Sequence, residues 1–355
     1  MVRIRGMTPA TLLRAALAGL HQSSPPQHVF ICVADHYEPD WRNASRQLAD
    51  ERVQRWLLDY PRVTEGLEDS RGRAPQHTFF YPAEVYVPEH LDALAQLARN
   101  GRGDVEVHLH HDNDRSDRLR EFLIEYAERL HNVHGLLRRD DQNQIRYGFV
   151  HGNWALDNSR PDGTRCGVND EITVLIETGC YADFTMPAAP DPCQVRTINQ
   201  IYYAKDDPNR PCSHDRGVAS IRGHVPRPDQ LLMIPGPLCV RRLDLGRGRK
   251  WSLENGNLTA TQPPTLERLQ TWLACGVGVK NRPDWGFIKL HTHGAQEDNA
   301  EILLSDSYRQ FHQQLQQFAQ TVGMKFYYVT AYEMAQLVRQ AEQNIVVPDF
   351  ARLSG

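Results

Sequence analysis

The strongest constraint on the fold is a continuous apolar run, His28-Val-Phe-Ile-Cys-Val-Ala34. A short run that is apolar on both faces of a strand is typical of a parallel sheet covered by helices on each side. Three ionisable residues, Asp35, His36 and Glu38, follow this run directly. Because α/β enzymes hold their catalytic groups at the carboxyl ends of parallel strands, these residues are predicted to lie in a functional site.

Predicted strands and helices alternate along the rest of the chain. Apolar side chains recur at helical spacing in segments 46–67, 88–98 and 117–137. Further strands are predicted to begin near residues 77, 104, 145, 181, 287 and 325. This alternation predicts an α/β fold with a parallel sheet, and 355 residues are within the range of one α/β barrel.

The domain organisation is predicted from composition shifts. Residues 1–27 are predicted to form an amphipathic helix, started by Thr8 and Pro9, and a linker. This helix is expected to pack on the rest of the protein, with a membrane surface as the alternative. Residues 28–345 are predicted to be a single catalytic domain, interrupted at 190–262 by a β-rich insertion dense in Pro and Gly.

Composition excludes several classes of function. The formal net charge of −4 gives no basic footprint for nucleic acid, and no apolar run is long enough for an integral membrane segment. The seven cysteines are widely spaced and form no C-x-x-C pair, which argues against a zinc ribbon and against a disulfide framework. These features predict a cytoplasmic protein, peripheral to a membrane only if the first helix binds one.

The segment from Asp104 to Asp114, Asp-Val-Glu-Val-His-Leu-His-His-Asp-Asn-Asp, has the residues of a metal site. Alternate side chains of a strand share a face, so His108 and His110 are predicted to point the same way. Two imidazoles side by side on a rigid element supply half of a metal site. His111, Asp112 and Asp114 follow at once and could supply further ligands.

Two later strands also end in candidate site residues. His151, Asn153 and Trp154 follow the predicted strand 145–150, where they could form the wall of a sugar-binding pocket. A turn followed by a core tryptophan is the other interpretation. His291 and His293 follow the strand 287–290, and we expect His291 to be functional and His293, on the same side, to bind substrate.

The order of these motifs resembles the polysaccharide deacetylase superfamily, carbohydrate esterase family 4. The resemblance covers roughly residues 28–340 and is carried by Val29 to His36, the Thr-Phe-Phe segment from Thr78, Asp104 to Asp112, and Ile288 to His291. It implies a distorted (β/α)7 barrel, one divalent metal ion that is often zinc, and hydrolysis of an N-acetyl group. The implied substrate is a carbohydrate or a small N-acylated molecule.

The resemblance also implies a role for each matching residue. Asp35 matches the catalytic base, His291 the late acid, and His108 the first metal-binding histidine. His36 stands where the family has a second, metal-binding Asp, and Asp112 stands where it has its second His, with His110 or His111 as alternative ligands. This chain has His151-Gly-Asn-Trp154 in place of an Arg-Pro motif. The exchange at 36 and 112 keeps a His/His/Asp ligand set, which suits zinc.

The implied reaction is attack of a metal-activated water on the amide carbonyl, with a proton taken by Asp35 and one given to the leaving amine by His291. Three other functions stay open. A glycoside hydrolase would need a close carboxylate pair, Glu38 with Asp35 or with Asp183. The others are a different metal-dependent C–N amide hydrolase and a catalytically silent carbohydrate-binding barrel.

Overall fold

The computed structural model describes residues 3–20, 24–244 and 249–353. Residues 1–2 and 21–23 of the predicted helix and linker, and 245–248 of the predicted insertion, lie outside the described residues. The strands are β1 His28–His36, β2 His77–Pro82, β3 Gly103–Leu109, β4 Arg138–Arg139, β5 Ile145–His151, β6 Cys180–Asp183, β7 Tyr202–Lys205, β8 Val218–Ala219, β9 Gln230–Met233, β10 Cys239–Asp244, β11 Arg249–Glu254, β12 Trp285–Thr292 and β13 Lys325–Tyr328.

The helices alternate with these strands over most of the chain. They are α1 Pro9–Ala18, α2 Arg46–Val63, α3 Pro88–Arg99, α4 Ser116–His134, α5 Glu171–Glu177, α6 Leu266–Ala274, α7 Glu297–Leu303, α8 Asp306–Val322 and α9 Ala331–Glu342. None of the described helices combines the length and the apolar character needed to cross a membrane.

The predicted α/β class is confirmed by one large, mostly parallel sheet. Its strands are paired in the order β12-β1-β2-β3-β5-β6-β9-β7-β8, and β13 pairs with the first half of β1. The edge strands β7 and β8 are antiparallel. The end strands β12 and β8 are not paired with each other in the described part of the chain. Closure into a (β/α)7 barrel therefore stays a prediction.

Strand β1 is apolar on both faces because each face packs against helices. Val29, Ile31 and Val33 belong to an outer core that includes apolar residues of α2, α3, α4 and α8. The alternate residues, Phe30 and Cys32 among them, belong to an inner core that includes the apolar face of α9. This two-sided burial is what the continuous apolar run predicts for a parallel strand.

Part of the predicted 190–262 insertion belongs to the main sheet. Strand β9 pairs in parallel with β6, and β7 pairs with β9, so these strands extend the central sheet. Among the described strands, only those of the β10–β11 hairpin form a separate sheet. Strand β9 joins the main sheet because the side chains of 231–234 alternate between the two cores. Leu231 and Met233 lie in the outer core, and Leu232 and Ile234 lie in the inner core.

Helix α1 packs beside the β10–β11 hairpin. The Thr8 hydroxyl caps the helix by accepting a hydrogen bond from the Thr11 N–H at 3.2 Å. Met7 and Ala15 pack with Ala189 and Leu238 in a small apolar cluster. The helix therefore has one face against the body of the protein.

The carboxyl ends of five neighbouring strands form one edge of the sheet. The register of β1 and β12 places Ala34 opposite His291, and that of β3 and β5 places His108 opposite Val150. Strand β2 lies between β1 and β3, with Pro82 opposite His108. The histidines that follow or end these strands are thereby brought to a common rim.

Candidate metal centre

Strand alternation sorts the rim residues onto two faces of the sheet. His36 lies two residues after Ala34, which belongs to the inner core, so the His36 side chain points to the same face. The centroid of its ring is 5.1 Å from that of His108 and 4.9 Å from that of His293. The centroid of the His291 ring is 6.3 Å from that of the His36 ring. The inner face of the rim therefore holds a cluster of histidines centred on His36.

Three side chains of this cluster are positioned to bind a metal ion. His36, Glu38 and His108 each offer one ligand atom, and these atoms all lie within 4.8 Å of one another. All three residues are buried. Two imidazoles and a carboxylate are a ligand set that suits a divalent ion of the zinc type.

The hydrogen bonds of His108 show which of its ring nitrogens carries the lone pair. Its Nδ1 lies 2.9 Å from the Val150 carbonyl oxygen, which can only accept, so Nδ1 carries the proton. In the neutral ring, Nε2 then holds a lone pair, and it faces the Glu38 Oε1 at 3.2 Å. Two acceptors at that distance require a proton or a cation between them. A backbone carbonyl that orients a histidine in this way is a common support of metal ligands.

The ring of His36 is buried, neutral and unpaired. Its Nε2 has no hydrogen-bond partner among the described residues. Burial holds the pKa of His36 well below its usual range, and His293, His108 and His291 lower it further. Although burial alone would raise the pKa of Glu38, its contacts with His108 and His293 lower it, so Glu38 is a carboxylate. The donor set therefore fits a cation.

His110 lies at the edge of this group and Asp112 lies outside it. The His110 Nδ1 is 2.6 Å from Glu84 Oε1, and its Nε2 is 3.6 Å from Glu38 Oε1. Burial lowers the pKa of His110, but the hydrogen bond to Glu84 and the negative charges of Glu84, Glu38 and Asp40 together raise the pKa overall. Asp112 is exposed, so the carboxylate near the two histidines is Glu38 and not the expected Asp112.

Asp35 lies on the opposite face of β1 from His36. Its Oδ2 is 2.8 Å from His77 Nε2, and its Oδ1 accepts the Gly294 N–H at 2.7 Å. Both oxygens are thus used inside the protein, where they connect β1 to β2 and to the turn after His293. The structure does not bring Asp35, expected from the resemblance to be the base, into the His36 group.

Asp35 and Asp183, the two carboxylates that a glycoside hydrolase would pair with Glu38, are both hydrogen-bonded within the protein. The Asp183 oxygens accept hydrogen bonds from the N–H and the hydroxyl of Thr185, at 3.0 and 2.7 Å. Burial raises the pKa of Asp183 to about 7. Glu38 is the only member of the pairs with Asp35 or Asp183 that contacts the histidine cluster among the described residues.

The turn at Gly294 leaves no room for a side chain. A Cβ there would lie 2.2 Å from Asp35 Oδ2 and 2.7 Å from Trp56 Cζ2. We expect Gly294→Ala to lower the free energy of unfolding by about 3 kcal/mol, measured by urea denaturation, because the buried Asp35 must move. Gly278→Ala is the milder control, since its Cβ would meet only the Trp285 carbonyl at 3.2 Å. Equal stability of both variants would contradict this packing.

A cleft opens beside the histidine cluster. Its volume is about 410 Å³, and its lining includes His291, Trp154, Asn255 and Asn257. The Trp154 ring lies 6.0 Å from those of both His36 and His293. Asn153 and Trp154 both have φ of 55°, a left-handed conformation that non-glycine residues adopt when the surrounding structure imposes it. The loop after β5 thus presents Trp154 to the cluster.

His151 does not line this cleft. It is fully buried on the outer face of the sheet, where its Nε2 lies 3.5 Å from Glu171 Oε1. Of the residues expected to bind substrate, Trp154 lines the cleft, and the His293 ring lies beside the Trp154 ring. Asn153, the residue before Trp154, is half-buried.

Four residues of this region have roles that sequence reasoning does not predict. Glu38 is predicted as a rim residue but not as a ligand, although the His-x-Glu spacing of His36 and Glu38 parallels that of His108 and His110. His77, Glu84 and Glu171 have no local signal, because each joins its partner from a separate element of the chain.

No family model and no curated protein matches the chain.

Proposed function

We propose that this chain is a metal-dependent hydrolase that removes N-acetyl groups from a carbohydrate. It would do so as a divergent member of the polysaccharide deacetylase superfamily, with residues 28–345 as one distorted (β/α)7 barrel. The observation that carries the proposal is the convergence of His36, Glu38 and His108 at the rim, with the buried His36 Nε2 unpaired among the described residues. The parallel sheet and the rim position of these residues support it.

The proposed cofactor is one zinc ion held by His36, Glu38 and His108. A divalent ion in such a site supplies Lewis acidity, which lowers the pKa of water towards about 7 and polarises a carbonyl group. His110 would stand beside the ligands, with Glu84 fixing its Nδ1 proton. With Glu38 in place of the expected Asp112, the ligand set is still two imidazoles and one carboxylate.

His291 is the residue we assign to proton transfer. It lines the cleft, and its Nδ1 is buried without a partner in the described part of the chain. Burial and the neighbouring Lys289 hold the pKa of His291 well below its usual range, so the ring is neutral. A neutral imidazole first accepts a proton, here from the attacking water, and then donates it to the leaving amine. In this proposal His291 replaces Asp35 as the base and keeps its expected role as the acid.

The cleft favours a sugar as the group that carries the amide. Trp154 offers an aromatic surface for the apolar face of a sugar ring, and Asn257, whose Oδ1 has no partner among the described residues, offers an amide to its hydroxyls. The volume of about 410 Å³ is within the range of small-molecule sites. His293, half-buried beside Trp154, would contact the substrate near the acetyl group.

The experiment is acetate release from N-acetylated sugars of increasing length. We expect acetate and an equal amount of free amine to appear with the purified protein. Treatment with a chelator should stop the reaction, and added Zn²⁺ should restore it, because the Lewis acid is removable.

The other functions give different products in the same assay. New reducing ends without acetate would indicate a glycoside hydrolase, and ammonia or amine from non-sugar amides alone would indicate another C–N hydrolase. Sugar binding that survives the chelator, with no product at any length, would indicate a silent binding barrel. Each of these results would overturn the proposed deacetylase activity.

A further inference from the structure

A second group of potential ligands lies on the outer face of the same rim. His111 follows β3, His151 ends β5, and Glu171 begins α5. Their ligand atoms all lie within 4.8 Å of one another. The group is separate from that of His36 because His108 and His151 face opposite sides of the sheet: His108 is paired with Val150 of the inner core, and His151 with Leu109 of the outer core.

The ring of His151 has a lone pair with no partner. Its Nδ1 donates to the carbonyl of the next residue, Gly152, so Nε2 is the unprotonated nitrogen of the neutral ring. This Nε2 is buried and has no hydrogen-bond partner among the described residues, although Glu171 Oε1 lies 3.5 Å away. A buried acceptor that faces another acceptor is costly unless a proton or a cation lies between them.

His111 and Glu171 point at the same place. The His111 Nδ1 lies 3.1 Å from Asp114 Oδ2, and its Nε2 lies 3.2 Å from Glu171 Oε1. The other Glu171 oxygen accepts the Asp157 N–H at 2.6 Å, which leaves Oε1 directed at the two imidazoles. A proton on His111 Nε2 would pair with Glu171 but would leave the His151 lone pair unmatched.

We propose that His111, His151 and Glu171 bind a second divalent metal ion. Asp114 and the Gly152 carbonyl hold the Nδ1 protons of the two histidines, an arrangement typical of oriented metal ligands. Two imidazoles and one carboxylate select a zinc-type ion over Mg²⁺ or Ca²⁺, which prefer all-oxygen sites. This inference does not depend on the proposed deacetylase activity.

His151 and Glu171 are fully buried, so the second ion would act by holding separate segments together. It would tie the end of β3 to the end of β5 and to α5, and thereby hold the loop that follows β5. That loop includes the left-handed residues Trp154 and Asp157. It also packs tightly over His111, since a Cβ at Gly167 would lie 1.9 Å from that ring. The metal would thus stabilise the segment that presents Trp154 to the cleft.

The first test is the metal content of the purified full chain after dialysis against metal-free buffer. We expect about two equivalents of zinc-type ion in the wild type and about one in His151→Gln. His134→Gln is the matched control, because His134, at the end of α4, is also buried but pairs with Tyr86 and Asp92; it should keep both ions. One equivalent in the wild type that His151→Gln retains in full would overturn the second site.

The second test uses the His108→Ala variant, in which the first site is disabled, after a chelator has removed the ion that the variant retains. Added Zn²⁺ should raise its melting temperature by several degrees, and the nearly isosteric Glu171→Gln substitution should remove this shift. No shift in His108→Ala would also overturn the second site. The wild type could instead hold one equivalent of metal, which His151→Gln loses and His108→Ala keeps. That result would support the second site and contradict the first.

Discussion

His108→Ala is expected to remove about one equivalent of divalent ion per chain and to lower acetate release about a thousandfold. The histidine supplies one of three converging ligand atoms, and its loss leaves Glu38 and His36 to hold the ion alone. Lewis acidity contributes several kcal/mol to such a reaction, and about 1.4 kcal/mol corresponds to a factor of ten. Metal analysis and an acetate assay on the same preparation measure both effects.

The matched control for this substitution is His131→Ala on α4. His131 is a half-buried histidine whose Nε2 accepts a hydrogen bond from Arg139, away from the rim. We expect it to keep the metal content and the activity of the wild type. Full metal occupancy in His108→Ala would show that the His36 group does not bind the ion, whatever the activity of the variant.

Asp35→Ala is expected to lower the free energy of unfolding by about 4 kcal/mol. Two buried donors, the His77 Nε2–H and the Gly294 N–H, would lose their acceptor at once. The Nδ1 of His77 has no partner among the described residues, so this ring depends on Asp35 for its hydrogen bonding. Chemical denaturation monitored by two spectroscopic probes measures the change.

Asp35→Asn separates the structural role of Asp35 from the catalytic role that the resemblance implies. The asparagine oxygen can accept from Gly294, and its amide can donate to the other tautomer of His77, so much of the stability should return. Acetate release should then stay within about tenfold of the wild type, since His291 is the proposed proton carrier. A stable, metal-loaded Asp35→Asn protein without activity would restore Asp35 as the base.

The positions of the site residues along the chain follow from local pattern. Each predicted rim residue comes at the end of a predicted strand, and parallel strands end at one edge, so the sequence alone predicts that His36, His108 and His291 lie together. The two-sided apolar pattern of β1 likewise predicts helices on both faces, and both cores contain helical residues. Periodicity is a local property, which is why the sequence shows it directly.

The side-chain partners depend on contacts between distant segments. Alternation in β1 places His36 and Asp35 on opposite faces, yet only the position of His77 and Gly294 reveals that Asp35 is fully hydrogen-bonded. Beyond the last strand residue, alternation no longer applies, so the chain after His108 could direct any of its next ligands inward. The structure turns His111 to the outer face and leaves Asp112 exposed.

The sequence by itself therefore determined the α/β class, the rim and the histidines on it. Tertiary structure alone decided which carboxylate meets which histidine. Glu38 rather than Asp112 joins His36 and His108, and Glu171 reaches His111 and His151 from a helix 60 residues beyond His111. The physical reason is that the direction of a side chain on a strand is set by its neighbours in the chain. The group that it meets is set by how separate elements pack.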